Sequence, residues 1–184
     1  MSPHDANRVV CYCDDCQAFA QHIGRADLLD AHGGSDIVQV APAAVSFDRG
    51  MEHVTAVRLH PKGLYRWYSS CCKTPLGNTM SPSVPFIGIG RQALEAEAPD
   101  QTFGPVRAWL QAKYAVGTPP NAVKTVSLPF LGRTLRLLVS WKLRGKSWPH
   151  PFFDRASKAP VRPVPVLSKA ERDALRPLCG PRPR

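Results

Sequence analysis

Apolar and polar residues follow a short period between positions 36 and 90. Runs rich in β-branched residues occur between positions 37 and 59, where proline or glycine separates them, and two further runs occur at 64–68 and 84–89. Such runs bounded by turn residues are typical of β-strands. This part of the chain is therefore predicted to form short strands of an antiparallel β domain.

Outside this region the apolar spacing changes to that of a helix. Residues 17–23 have an apolar pair at i and i+4, and residues 105–117 combine an apolar face with proline at the start and glycine at the end. Leucines at helical spacing predict a helix over 129–145, and the capping-box sequence that begins at Ser168 predicts a short helix through Leu175. The chain is thus predicted to be an α+β protein, mainly antiparallel β.

Charge divides the chain into two unlike halves. Residues 1–100 carry 8 Lys+Arg and 11 Asp+Glu, a net charge of −3, whereas residues 101–184 carry 16 and 3, a net charge of +13. Within the second half, Arg133, Arg136 and Arg144 share one row of the predicted helix over 129–145. Such a basic amphipathic helix is most often packed on a protein surface with its charges in water, and a membrane surface or a polyanion is the alternative contact.

These patterns suggest three segments. A β domain would occupy residues 1–98, a helical basic extension packed on it residues 99–158, and a Pro/Arg-rich, largely extended tail with one short helix residues 159–184. The hydrophobic content of 43% excludes a wholly disordered chain. No run of about 18 apolar residues is present and the first residues do not form a signal peptide, so we expect a cytoplasmic protein with reduced cysteines.

Three of the six cysteines lie within six residues, at Cys11, Cys13 and Cys16. Thiolates at this spacing can converge on one metal ion where the backbone turns, and Zn²⁺ is the first candidate because it readily takes thiolate ligands. A buried cysteine group or part of a disulfide set is the alternative. Asp14 and Asp15, inside the motif, are expected to form the turn rather than to bind metal.

The other cysteines are less clearly placed. Cys71 and Cys72 are adjacent, so their side chains point in different directions and only one of them is expected to join a metal site; a disulfide between them is the alternative. His22 is a weaker candidate for a ligand or proton shuttle, and Cys179 is expected to be a spare thiol.

Two of these motifs resemble a known family. The segment Cys11-Tyr12-Cys13-Asp14-Asp15-Cys16-Gln17 is similar to the C-H-C-x-x-C-[RQ] motif of the glutathione-dependent formaldehyde-activating enzyme family, which includes the centromere protein V group. Cys72-Lys73-Thr74-Pro75-Leu76 resembles the later C-G-T-P-L motif of that family. The resemblance covers about residues 8–90. It implies a β-tent fold of small antiparallel sheets and two zinc sites, one of them catalytic and held by Cys11, Cys13 and Cys16.

The chain departs from the family pattern at its second, four-cysteine zinc site. No C-x-C pair precedes Cys11, Ser69 stands where the later pair has its first cysteine, and Lys73 replaces a glycine. One zinc per chain is therefore expected. Cys72, or else Cys71, would be free to complete a four-sulfur site with the triad, so the predicted ligands are Cys11, Cys13, Cys16 and Cys72. Whether that fourth position is filled or open is left undecided by the sequence.

Two functions follow from these alternatives. With an open position, the resemblance implies a zinc-dependent carbon–sulfur lyase that handles the adduct of a small aldehyde with a thiol such as glutathione. Arg66 or Lys73 would then attract the carboxylates of the thiol; the alternative is that both residues are ordinary solvated charges. With a closed position, zinc would only stabilise the β domain, and the basic half would bind nucleic acid or another polyanion.

Overall fold

A computed structural model describes residues 5–94, 99–121 and 126–181. Seven strands form one sheet and four α-helices pack around it, so the predicted α+β class with a mostly antiparallel sheet is confirmed. The last residues of the predicted tail, 182–184, lie outside the described residues. The strands are β1 (Asn7–Cys11), β2 (Ser35–Val40), β3 (Val54–Val57), β4 (Tyr65–Ser69), β5 (Pro75–Thr79), β6 (Ile87–Gly90) and β7 (Val106–Leu110). The helices are α1 (Asp14–His22), α2 (Pro99–Phe103), α3 (Leu128–Leu143) and α4 (Lys169–Leu175).

The strand order is β3-β4-β5-β6-β2-β1-β7. Each neighbouring pair is antiparallel except β1 and β7, which run parallel with Val9 opposite Ala108 and Cys11 opposite Leu110. Strand β1 thus lies between β2, the next strand in the chain, and β7, which comes about a hundred residues later. This pairing places the carboxyl end of β1, where the cysteine motif begins, beside Leu110.

The main core is built on aromatic stacking. Trp67 on β4 is fully buried, stacks on Phe152 with ring centroids 4.6 Å apart, and donates its indole N–H to the Thr79 hydroxyl at 2.9 Å. Phe152 and Phe153 belong to the basic half of the chain, and both are buried. Residues beyond position 100 therefore complete the same core that the early strands begin.

The prediction of a helix over residues 105–117 is wrong. Residues Val106–Leu110 are β7, and a short 3₁₀ turn at Ala112–Tyr114 follows after Gln111 adopts a left-handed conformation with φ of 58°. Val106 and Leu110 have helical spacing, but pairing with β1 satisfies the backbone of this segment instead. A helix predicted from i and i+4 apolar residues alone is thus overridden by tertiary hydrogen bonding.

The other predicted helices are confirmed. α1 begins three residues before the predicted start, α3 covers most of 129–145, and α4 begins with a full capping box between Ser168 and Glu171. The segment after residue 159, expected to be largely extended, also packs on the domain, since Arg58 N donates to Pro165 O at 2.9 Å and Leu167 is buried against α1. In the described part of the chain, none of the helices combines the length and apolar character that crossing a bilayer requires.

Candidate metal centre

The three clustered cysteines meet where β1 turns into α1. Cys11 ends β1, Cys13 is the N-cap residue of α1, and Cys16 lies in the first turn of the helix. Their sulfur atoms all lie within 4.8 Å of one another. Cys16 N donates to Cys13 O at 3.0 Å, so the start of the helix itself sets the spacing of the last two thiols. The structure thus brings together the three residues that the sequence analysis placed in one site.

An apolar shell encloses the triad. Cys11 and Cys13 are half-buried, Cys16 is buried, and Val9, Ile37 and Phe130 pack around them. Because thiolates in such surroundings lack water, they require nearby positive charge or hydrogen-bond donors.

Arg66 supplies that charge. Its side chain on β4 is only 2% exposed, and Nη1 lies 3.4 Å from Cys16 Sγ and 3.3 Å from the Asn78 side-chain oxygen. Nη2 is 3.8 Å from an oxygen of Asp15. The sequence alone allows Arg66 to be a substrate contact or a solvated strand charge, but in the structure it is neither solvated nor at the surface. It is the buried counter-charge of the cysteine site.

The environment favours a thiolate at Cys16. Hydrogen bonds from the Cys11 and Cys13 thiols, together with the positive charge of Arg66, hold the pKa of Cys16 well below its usual range. The pKa of Cys11 is raised because its thiol bonds to Cys13 and Cys16. The start of α1 adds the partial positive charge of a helix N-terminus on the same side. The first negative charge of the triad therefore lies next to Arg66.

Gln17 fixes the loop that carries the cysteines. It is 2% exposed, and its amide donates to Tyr12 O at 2.7 Å and to Tyr114 O at 3.0 Å, while its oxygen accepts from Gly180 N at 2.7 Å. One side chain thereby joins the cysteine motif, the turn after β7 and the segment after α4. This role could not be predicted from the sequence, where its one signal is a glutamine directly after Cys16.

The two aspartates inside the motif do not belong to the group of possible metal ligands that the three cysteines form. Asp14 pairs with Arg176, and Asp15 lies 3.5 Å from His60 and near Arg66. They occupy the first turn of α1, where negative side chains are favourable. This agrees with the expectation that they shape the turn.

Cys72 is not one of the three residues that the structure brings together. It is exposed in the turn between β4 and β5, and its sulfur lies 3.2 Å from the Thr74 hydroxyl. Cys71 beside it is also exposed and lies 3.0 Å from the Ser69 hydroxyl. The hydroxyls of Ser69 and Thr74 lower the pKa of Cys72 to about 6. The vicinal cysteines thus form a separate surface feature.

The remaining candidates lie around α1. His22 is in its last turn, six residues beyond Cys16, which corresponds to about 9 Å along a helix axis. Cys179 is half-buried, with its sulfur 4.0 Å from Asp14 O, and burial raises its pKa. Neither residue belongs to the group of possible metal ligands formed by the triad.

A narrow cavity borders the triad on the side of Cys16. Its lining includes Cys16, Phe19, Arg66 and Asn78, and its volume of ≈ 30 Å³ is enough for a water molecule. A small ligand atom can therefore be accommodated next to Cys16 and Arg66.

Comparison with known proteins places the chain in one family. A family model described as "Family of unknown function (DUF6151)" matches residues 1–164, which include the sheet, the cysteine triad and Arg66. The chain belongs to this family. No curated protein and no solved structure matches the chain. The matched residues thus include the triad, Gln17 and Arg66, whereas Gly180 and Arg176, which contact Gln17 and Asp14, lie beyond them.

The triad fits a soft divalent metal ion. Zn²⁺ binds thiolate sulfur at about 2.3 Å, and tetrahedral bonds of that length place two sulfurs about 3.8 Å apart, so the three sulfurs are close enough to share one ion. The three sulfur donors favour Zn²⁺ over hard ions such as Mg²⁺ or Ca²⁺.

Proposed function

We propose that Cys11, Cys13 and Cys16 bind one Zn²⁺ and that the protein is a carbon–sulfur lyase acting on the adduct of a glutathione-type thiol with a small aldehyde. The observation that carries the proposal is the convergence of three thiols on one another, with the buried Arg66 next to Cys16. On this view the chain is a divergent relative of the glutathione-dependent formaldehyde-activating enzymes, and its sheet is a variant of their β-tent. The site is expected to work in a reducing compartment, the cytoplasm.

Charge balance supports a metal at this position. Three thiolates and one divalent cation carry a net charge of −1, and Arg66 beside Cys16 brings the buried group to neutrality. A neutral assembly has a far smaller desolvation cost than three isolated thiolates in an apolar shell. Arg66 is therefore assigned as the residue that allows the centre to be buried.

An open fourth position is favoured over a four-cysteine site. Cys72 is exposed and bonded to Thr74, whereas the small cavity bordered by Cys16 and Arg66 offers room for an atom from a ligand. Zinc sites that keep one position open are characteristic of catalysis rather than of structure. The proposed ligand set is thus Cys11, Cys13 and Cys16 with an exchangeable fourth ligand.

The chemistry needs no oxidant or reductant. In the adduct-forming direction, the sulfur–hydrogen bond of the thiol breaks, a sulfur–carbon bond forms at the aldehyde carbonyl, and the proton passes to the carbonyl oxygen; the lyase direction reverses these changes. A bound Zn²⁺ would supply a lowered thiol pKa, because it stabilises the thiolate form. Arg66 would stabilise the negative charge near Cys16, and the apolar shell around the triad would limit access of water.

Zinc X-ray absorption combined with metal analysis tests the site. The wild-type protein should contain one zinc per chain with three sulfur ligands and one lighter atom, and Cys72→Ser should leave this shell unchanged. Cys16→Ser should reduce zinc content severely. A four-sulfur shell that loses one sulfur in Cys72→Ser would contradict the open site, and a protein without zinc would contradict the metal assignment.

The activity is tested separately by NMR. Exchange between formaldehyde and its glutathione adduct can be followed by magnetisation transfer, and wild type should accelerate it while Cys16→Ser should not. The Cys72→Ser variant, which removes an exposed thiol, is the matched control and should retain the rate. Acceleration that depends on Cys72 alone would mean that the surface thiol, rather than the metal centre, is responsible.

Binding of a polyanion by the basic half is the second candidate. It is favoured by one observation, the absence of any Asp or Glu between positions 101 and 153, where eight Lys or Arg occur. Deleting the basic half is a poor test because Phe152 and Phe153 are part of the main core. Substituting exposed Arg136 and Lys146 with glutamine instead should weaken salt-sensitive binding to DNA or RNA while leaving the fold intact.

A further inference from the structure

Helix α3 has an apolar face that the rest of the described chain does not cover. Five side chains spaced three or four residues apart lie along it and are strongly exposed: Leu128 (81%), Leu131 (50%), Leu135 (63%), Val139 (48%) and Leu143 (82%). Residues at this spacing share one side of a helix. We refer to these five residues as the leucine row.

The leucine row is not the face by which α3 packs on the protein. Phe130, Leu137 and Trp141 form that face, and all three are buried. The helix is therefore apolar on two sides, with only one of them in the core. The leucine row runs along a helix about 24 Å long, and an exposed apolar stripe rimmed by polar residues is typical of an interaction surface.

The surroundings of the leucine row are strongly basic. No Asp or Glu occurs between positions 101 and 153, which contain eight Lys or Arg. Arg136, Lys142, Arg144 and Lys146 lie on or just after α3 and are exposed. Only one nearby carboxylate approaches these cations, since Arg144 pairs with Asp5 at 3.2 Å in the described chain. The partner of the row should therefore combine apolar groups with negative charge.

This combination distinguishes between the possible occupants. A second copy would bring the same cations face to face, and like charges in a symmetric contact oppose association. Nucleic acid offers negative charge but no apolar surface to cover leucines. An anionic bilayer offers both, because acyl chains lie just beneath negatively charged headgroups. We infer that α3 docks the protein on an anionic membrane surface, with the leucine row in the acyl-chain boundary and the flanking cations at the headgroups.

This inference concerns the opposite side of α3 from the cysteine centre, where Phe130 packs against Cys16 and its neighbours. It does not depend on the metal or on the lyase activity. Docking through the leucine row would hold the domain at the bilayer as a peripheral protein and leave the inner face of α3 in place.

Vesicle flotation of the full-length protein tests the inference. Vesicles of phosphatidylcholine with 30% phosphatidylserine should bind wild type, and vesicles of phosphatidylcholine alone should bind it at least tenfold more weakly. The double variant Leu135→Ser/Val139→Ser should lose at least tenfold in binding to the anionic vesicles. Leu178→Ser is the matched control, because Leu178 is 57% exposed but lies in the segment beside α1, and it should bind as wild type does.

A second variant separates charge from apolar contact. Arg136→Gln/Lys146→Gln should weaken binding and reduce its dependence on salt, while circular dichroism melts of every variant remain those of wild type. No binding of wild type, equal binding to neutral vesicles, or full binding by Leu135→Ser/Val139→Ser would each overturn the proposal. Self-association that this double variant abolishes, without vesicle binding, would assign the leucine row to a second copy instead.

Discussion

Substitution of Gln17 by leucine tests whether one amide holds the cysteine motif in place. The change preserves the approximate size of the side chain but removes three hydrogen bonds, to Tyr12 O, Tyr114 O and Gly180 N. Gly180 and Tyr12 are buried, so their backbone groups would lack water as a substitute partner. The expected result is a large loss of stability with little change in packed volume.

The magnitude follows from the number of groups left unpaired. A buried polar group without a partner costs about 1–3 kcal/mol, and Tyr114 O is only partly buried, so Gln17→Leu should lower the free energy of unfolding by about 3–5 kcal/mol. That is a substantial part of the total stability of an ordinary domain, about 5–15 kcal/mol. The variant should therefore still fold at low temperature, which makes the loss measurable.

Urea unfolding followed by tryptophan fluorescence at a fixed zinc concentration measures this loss. Gln21→Leu is the matched control on the same helix, because Gln21 makes one exposed hydrogen bond, to Leu178 O at 3.1 Å. It should cost less than about 1 kcal/mol. Equal effects of the two substitutions, or a cost below about 1 kcal/mol for Gln17→Leu, would refute the assigned role of Gln17.

Three further outcomes are expected. Arg66→Gln should weaken zinc affinity about 10–100-fold in a chelator competition, as loss of a group supporting metal ligands commonly does, and surface Arg25→Gln should leave affinity unchanged. Burial lowers the pKa of His150 to about 4, while unfolded histidine titrates near 6.5. Between these values only the unfolded chain binds the proton, so stability should fall by up to about 3 kcal/mol as pH drops from 6.5 to 4, and urea unfolding of His150→Asn should show a flatter profile. Cys72, with a pKa of about 6, should react with iodoacetamide at pH 7 faster than an ordinary thiol, and peptide mass spectrometry should show slower labelling in Thr74→Val. Equal labelling rates in the two proteins would contradict the contribution of the Thr74 hydroxyl.

Local sequence signals predicted the helices that carry their own start and stop residues. The capping box at Ser168 and the leucine spacing in 129–145 depend on neighbours within one or two turns, and both helices form. The cysteine triad is equally local, because all three thiols come from one strand end and one helix start. Features encoded within a few residues were thus accessible from the sequence.

Features that depend on residues distant in the chain could not be predicted from the sequence. β7 has the spacing of a helix, and only its pairing with β1 makes it a strand. Arg66 resembles any charged residue in a strand, and its burial follows from the position of α1 across the sheet. In α3 the leucine pattern predicted the helix, but not that Leu131 and Leu135 face outward while Phe130, Leu137 and Trp141 face the core.

The long-range supports of the cysteine motif have a consequence for the order of synthesis. The ribosome makes Cys11, Cys13 and Cys16 well before their supports, because the β7 strand beside them comes nearly a hundred residues later and the contact from Gly180 to Gln17 spans 163 residues. Contacts so distant in sequence close late in folding. A nascent chain therefore exposes the three thiols without these supports until Gly180 has been made, and we expect stable metal loading to follow that point.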